Sequence, residues 1–158
     1  MTESRSSENE VRELVGLRCW AAEFSNNEGI ALQLGGEEPI AGSRTTMGTH
    51  IFSTYDAEWE LRLPDAHTIN SESDAKTVWA AMPALEAEVS DIALDTKAVE
   101  ISLRFESGSE LVVRPDPACG SAAEAWIVLL PGHRSISGFG DGVEPGDSRN
   151  APGTREGA

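Results

Sequence analysis

The chain is short of cations. Twelve lysines and arginines stand against 27 aspartates and glutamates in 158 residues, a formal charge of −15. So acidic a surface repels nucleic acid and anionic membrane, which are not expected as partners, and favours a basic protein or simply serves solubility. Cysteine is equally scarce. Cys19 and Cys119 are the only two; neither falls in a CxxC or Cys/His ligand spacing, so no zinc or other metal site is expected. A disulfide between them is left open by the sequence; separately placed, reduced thiols fit a cytoplasmic protein better. No apolar run approaches the roughly 20 residues that a membrane span needs. The opening MTESRSSENE lacks the apolar segment of a secretory signal. A soluble, cytoplasmic protein is the expectation.

Catalytic signatures are missing as well. No Ser or Cys sits in a nucleophile elbow. The glycines of GGEEPIAGSRTTM (35–47) form neither GxGxxG nor a P-loop, and Glu37 and Glu38 would oppose a bound phosphate. There are three histidines. His50 has Tyr55 and Asp56 a few residues on, the parts of a general base oriented by a carboxylate; His67 and His133 follow turns and read as solvated. No catalytic residue and no cofactor is assigned, and the protein is expected to be non-enzymatic.

What the chain does have is alternation. IALQL (30–34) places Ile30, Leu32 and Leu34 on one face, and VEISLRF (99–105) does the same with Val99, Ile101, Leu103 and Phe105. Period two of this kind makes half-buried antiparallel strands. ESGSE (106–110) then joins the second of them to LVVRP (111–115) as a hairpin. One segment is helical: Ser73 or Asp74 caps AKTVWAAM before Pro83, giving a short helix at about 74–82 with Val78, Trp79 and Met82 in one stripe. The polar residues 1–10 and the Gly/Pro-rich tail 137–158 offer little to bury and read as disordered. The folded body is expected at 11–136.

Two segments share one plan. DAEWELRLP (56–64) and AEAWIVLLP (123–131) both read Trp, any residue, aliphatic, any residue, Leu, Pro, at an offset of 67. Upstream, Ile30, Leu32 and Leu34 align with Ile101, Leu103 and Phe105 at an offset of 71. Pairing Gly48 with Gly108 reconciles the two, with 11 extra residues in the first hairpin loop and 7 fewer later. Each half-repeat, about 14–64 and 85–131, would be four strands. The fold expected is mainly β, two antiparallel half-repeats packed as a sandwich or partly closed barrel, with one short helix between them.

The second half carries a resemblance. Leu103, Phe105, Gly108, Leu111, Val113, Glu124 and Trp126, within the stretch from Leu85 to Val128, match a "Leu-x-Phe-x-x-Gly-x-x-Leu-x-Val" hairpin and a closing "Glu-x-Trp". In these features the chain resembles a group of small bacterial β-rich proteins of unknown function, itself similar to immunity proteins of bacterial toxin systems. Ala87 departs from the pattern, which tends to have Gly there. The resemblance implies an immunity-type role and brings no catalytic residues with it.

The candidate surface follows from charge. Glu58 and Glu60 flank Trp59, on the strand face opposite the indole, and Glu37 and Glu38 lie in the long first-half loop. With Asp56, and with Tyr55 as an apolar anchor, they form the expected contact for a basic protein such as a toxin. Trp20 and Trp79 stand outside the repeat pattern and are expected to be partly exposed. The alternative is an enzyme or accessory factor of a bacterial biosynthetic pathway, with a pocket between the half-repeats holding a histidine and a perturbed carboxylate. A third reading is a homodimer joined through sheet edges.

Overall fold

The computed structural model describes residues 3–26 and 29–147. Eleven strands make two antiparallel sheets. In chain order they are β1 Cys19–Ser25, β2 Gly29–Pro39, β3 Thr46–Thr54, β4 Ala57–Arg62, β5 Thr68–Asn70, β6 Val89–Asp95, β7 Glu100–Phe105, β8 Glu110–Pro115, β9 Glu124–Leu130, β10 Arg134–Phe139 and β11 Gly142–Asp147. One sheet has the order β1-β2-β3-β9-β10-β11 and the other β5-β4-β8-β7-β6. The architecture is a sandwich, not a closed barrel. Two short helices accompany it: α1, Glu3–Val11, and α2, Ala75–Ala81.

The alternation in the sequence becomes the core. Leu32, Leu34, Phe52, Trp126, Val128 and Ile136 from one sheet meet Leu61, Ile101, Leu103, Leu111 and Val113 from the other, all fully buried. Each such side chain contributes about 1.5–3 kcal/mol of transfer free energy. Trp59 and Trp126 both belong to this cluster.

The connections cross between sheets in a reciprocal way. β1–β2–β3 is a meander in one sheet and β6–β7–β8 a meander in the other; β4 then leaves the first to pair with β8, and β9 leaves the second to pair with β3. Phe52 and Thr54 lie opposite Val128 and Trp126, as Leu111 and Val113 lie opposite Leu61 and Trp59. Both meanders have a register irregularity at the same place, between Cys19 and Ala21 and between Val89 and Asp91. Where β1 and β6 meet, the Cys19 N–H donates to the Ala87 carbonyl and the Val89 N–H to the Leu17 carbonyl, both at 2.9 Å. These registers move one detail of the sequence alignment. Thr54 and Val113 are 59 positions apart, not the 60 that pairing Gly48 with Gly108 requires. Gly48 lies inside β3 opposite Glu37, whereas Gly108 sits in the turn after β7. A one-residue slip of this kind exchanges the two faces of a strand.

At both ends the described residues differ from the expectation of disorder. Residues 3–11 form α1, and the following single 3-10 turn buries Leu14, while Val11 at the helix end is buried too. Arg134, from the far end of the chain, donates to Glu13 at 2.8 Å and pairs with Glu10 at 3.5 Å. Residues 137–147 complete β10 and form β11. Their glycines have a use that composition hides. A Cβ on Gly138 would overlap the indole of Trp126, so only glycine lets β10 pass this ring. Residues 148–158, the rest of the expected disordered tail, lie outside the described residues.

The expected helix at 74–82 is α2, capped by Asp74, whose carboxylate accepts from the Thr77 N–H at 3.0 Å. A 3-10 turn, Met82–Leu85, with proline in its first turn, ends it. Val78 and Met82 are buried, but Trp79 is not in their stripe: it is 52% exposed. Among the described residues no helix is long and apolar enough to cross a membrane.

Candidate functional site

The six residues expected to form one surface lie in three places. Glu37 and Glu38 are exposed near the tip of a β2–β3 ribbon that runs on beyond the sandwich, opposite Gly48 and Met47. What the sequence presents as a loop is thus strand almost to the turn at 40–45. Tyr55 and Asp56 form the β3–β4 crossover at the other end of β3. Seven residue-to-residue steps along the strand separate Gly48 from Tyr55, roughly 23 Å at 3.3 Å per step. Glu58 and Glu60 lie on β4 and are half-buried.

Glu58 and Glu60 are not bare carboxylates. Arg62 donates to Glu60 at 2.7 Å and to Glu110 at 3.0 Å, and Arg104 donates to the same Glu110 at 3.3 Å. Arg114 lies 3.7 Å from Glu58 and 3.4 Å from Glu100. On β4, β7 and β8 three arginines offset these four carboxylates, while Asp91 and Asp95 on the edge strand β6 stand opposite Arg104 and Glu100. Such partly exposed pairs contribute about 0.2–1 kcal/mol each. They lace the β4, β8 and β7 part of the outer face of the five-stranded sheet, with Asp91 and Asp95 at its β6 edge.

The crossover is held firmly. The Tyr55 N–H donates to the Ala125 carbonyl at 2.8 Å, the Asp56 N–H to the Glu124 carbonyl at 3.1 Å, and the Asp116 N–H to the Asp56 carbonyl at 3.2 Å. The Tyr55 ring stands out from this anchored backbone, 40% exposed. Beside it opens a cleft of about 130 Å³ lined by Glu23, Phe24, Ile30, Thr54, Tyr55 and Trp79 among others. Its wall is aromatic. The Phe24 ring meets Trp59 edge to face at 6.2 Å between centroids, and Trp79 at 6.3 Å. Its floor depends on Gly29, whose left-handed backbone (φ 90°) brings the Ile30 N–H to the Thr54 hydroxyl at 2.9 Å. A side chain at Gly29 would collide with that hydroxyl.

Sequence reasoning singled out Trp79 as partly exposed but missed Glu23 and Phe24. Their signal is faint: β1 ends one residue after Phe24, so a residue of the inward face is left at the open end of the sandwich. The join between Phe24, Tyr55 and Trp79 spans three segments and is visible only in the fold.

The histidines do not build a catalytic group. Burial pushes the His50 imidazole below its ordinary value, and the charges acting on it are Glu13, Arg134 and Glu38, not Asp56. One ring nitrogen lies 2.8 Å from the Thr49 hydroxyl. His67 is exposed and bonded to Asp65 at 2.9 Å, which raises the imidazole and lowers the carboxyl. His133 is exposed in the turn before β10. Glu124 is the buried carboxyl, 8% exposed, with Oε1 lacking a hydrogen-bond partner. Desolvation raises it above the ordinary glutamate value, against a hydrogen bond with Ser137. Both cysteines are free; burial pushes the Cys19 thiol up to about 12, and Cys119 is exposed. Among the described residues, no three His, Cys, Asp or Glu side chains gather as metal ligands.

Comparison with protein-family models, with curated proteins and with solved structures finds no match to this chain.

Proposed function

We propose that this chain is a non-enzymatic, acidic binding protein, an immunity-type inhibitor that occludes a basic protein such as a toxin. One observation carries the reading: two large aromatic side chains, Tyr55 and Trp79, stand exposed at one corner of a chain with a formal charge of −15. Exposed aromatics ringed by charge make interface anchors, and net charge steers an oppositely charged partner to them. The anchored crossover supports the same reading, since a preorganised backbone loses little freedom on binding. Asp56 sits beside Tyr55, and its carboxylate offers a basic partner what a phosphate would. Glu37 and Glu38 belong to a second acidic point at the ribbon tip, too far away to share one anchor with Tyr55.

A biosynthetic enzyme or accessory factor would want its pocket between the halves, with a histidine in it. The aromatic cleft is not such a pocket: it draws on the first half and α2 alone, with no histidine in its lining. We infer also that the halves are copies of one four-strand unit, on the reciprocal crossing of β4 and β9 and the matching irregularities in β1 and β6.

The test is recovery of a partner from the native host at low ionic strength. A basic protein should be retained, released as salt rises, and lost from a Tyr55→Ala, Trp79→Ala double variant. Retention of no basic protein under these conditions overturns the reading. A toxin gene beside the coding sequence would name the partner to purify.

A further inference from the structure

We propose that the cleft between β1, the β3–β4 crossover and α2 is a binding site for an arginine side chain presented by the partner; this rests on the function proposed above and specifies its point of contact. Three features of the cleft select that ligand. First, its walls are rings: Phe24, Tyr55 and Trp79 line it, and Trp79 keeps half of its surface in solvent. Aromatic faces carry negative potential and attract a cation lying within about 6 Å of the ring centre. Second, the rim holds the Glu23 carboxylate, which is exposed and makes no ion pair among the described residues. A carboxylate beside an indole matches a guanidinium better than an ammonium, because the planar group stacks on the ring while its N–H fork pairs with both oxygens. Third, the remaining polar lining, from Ser25, Ser53 and Thr54, is hydroxylic and uncharged, and among the described residues no lysine or arginine lines the cleft.

The size agrees. A cleft of about 130 Å³ admits one planar side-chain head and excludes a whole cofactor; small-molecule sites are usually several hundred Å³. The site is also shaped before any ligand arrives. Phe24 is wedged between Trp59 and Trp79, Thr54 is tied to Ile30, and the Tyr55 backbone is tied to Ala125.

The probe is a tetra-arginine amide, titrated calorimetrically into the full chain, with tetra-citrulline amide as its uncharged counterpart of similar shape. Wild-type protein should bind the arginine peptide and not the citrulline peptide. Trp79→Ala should weaken binding by roughly threefold to thirtyfold, the range of a cation–aromatic contact. Glu23→Gln should weaken it by a similar factor, whereas Glu106→Gln, exposed in the turn between β7 and β8, should leave it within about twofold. Trp79 is exposed, so its loss spares the core; an unchanged thermal transition in Trp79→Ala checks this. If tetra-arginine binds wild type, Trp79→Ala and Glu23→Gln equally, the cleft proposal falls while the acidic-binding reading stands on bulk charge. If tetra-arginine binds none of them, the cleft proposal falls, and the function rests on its own partner-recovery test. Equal binding of the citrulline peptide overturns the cation preference.

Discussion

Trp59 and Trp126 occupy matching places in the two halves and lead different lives. Trp126 is fully buried in the middle of a six-stranded sheet, with its indole N–H donating to the Val99 carbonyl at 3.0 Å and Gly138 making room for the ring. Trp59, 4% exposed, lies one strand from a sheet edge, and its outer neighbour is the Phe24 ring that also forms the wall of the cleft. One tryptophan is sealed by backbone and a hydrogen bond; the other is covered by a second aromatic that faces water. The sealed end stabilises the fold, and the covered end is available for contact. Two strands with the same sequence pattern therefore need not have the same role: what differs is the chain that closes over each ring.

The comparison can be broken most directly at the rings. Trp126→Ala should cost about 3–5 kcal/mol, because the surrounding sheet cannot close on the space and the Val99 carbonyl loses its donor. Trp59→Ala should cost less, since Phe24 and Trp79 can shift inward. Chemical denaturation of both variants decides the matter, and equal losses would erase the distinction. Next comes the clearance over Trp126. Gly138→Ala should destabilise by about 1–3 kcal/mol through overpacking against the indole, read as a lower denaturation midpoint with an unchanged slope.

The third difference lies in the carboxylates of the two tryptophan strands. Glu124 on β9 is buried and holds its proton to higher pH than in the unfolded chain, where it titrates near the ordinary glutamate value of 4.5. Between those two pH values unfolding releases a proton, so this group makes stability fall as pH rises, and its penalty is complete above the folded value. Glu124→Gln should remove that slope. The variant should gain on wild type at neutral pH, and the gain should vanish below the ordinary glutamate range; a pH series of thermal transitions measures it. The smallest effect is expected on β4. Arg62→Ala breaks contacts to Glu60 and Glu110 on an exposed face and should cost under about 1 kcal/mol, less still in high salt.

How much of this was legible beforehand differs by element. The period-two runs at 30–34 and 99–105 and the two tryptophan strands are strong signals, because burial of one strand face writes itself into every second residue. The ends of the chain are not legible in that way. SISGFGDG resembles a linker by composition, yet Gly138 is there for the ring it passes and Phe139 is buried. α1 and the turn after it look like a solvated charged run, yet Glu10 of the helix and Glu13 of the turn pair with Arg134, over 120 positions away. Of the candidate surface, Tyr55, Asp56 and an exposed Trp79 could be read from the chain. The pairing of Glu58 with Arg114 could not, because that arginine comes from the neighbouring strand β8; Glu60 and Arg62, two apart on β4, share a face by period two alone.

The crossing of β4 and β9 has a consequence for how the molecule holds together. Neither half keeps its own last strand; each lends it to the other's meander, as two hands interlock fingers. The unit of folding is therefore the pair, and a half on its own would leave a meander without its fourth strand and an orphaned tryptophan strand beside it. Cut within the segment between β5 and α2, the chain should yield two fragments that stay unstructured apart and regain strand circular dichroism when mixed. Fragments that fold separately would show that the exchange of strands is ornamental.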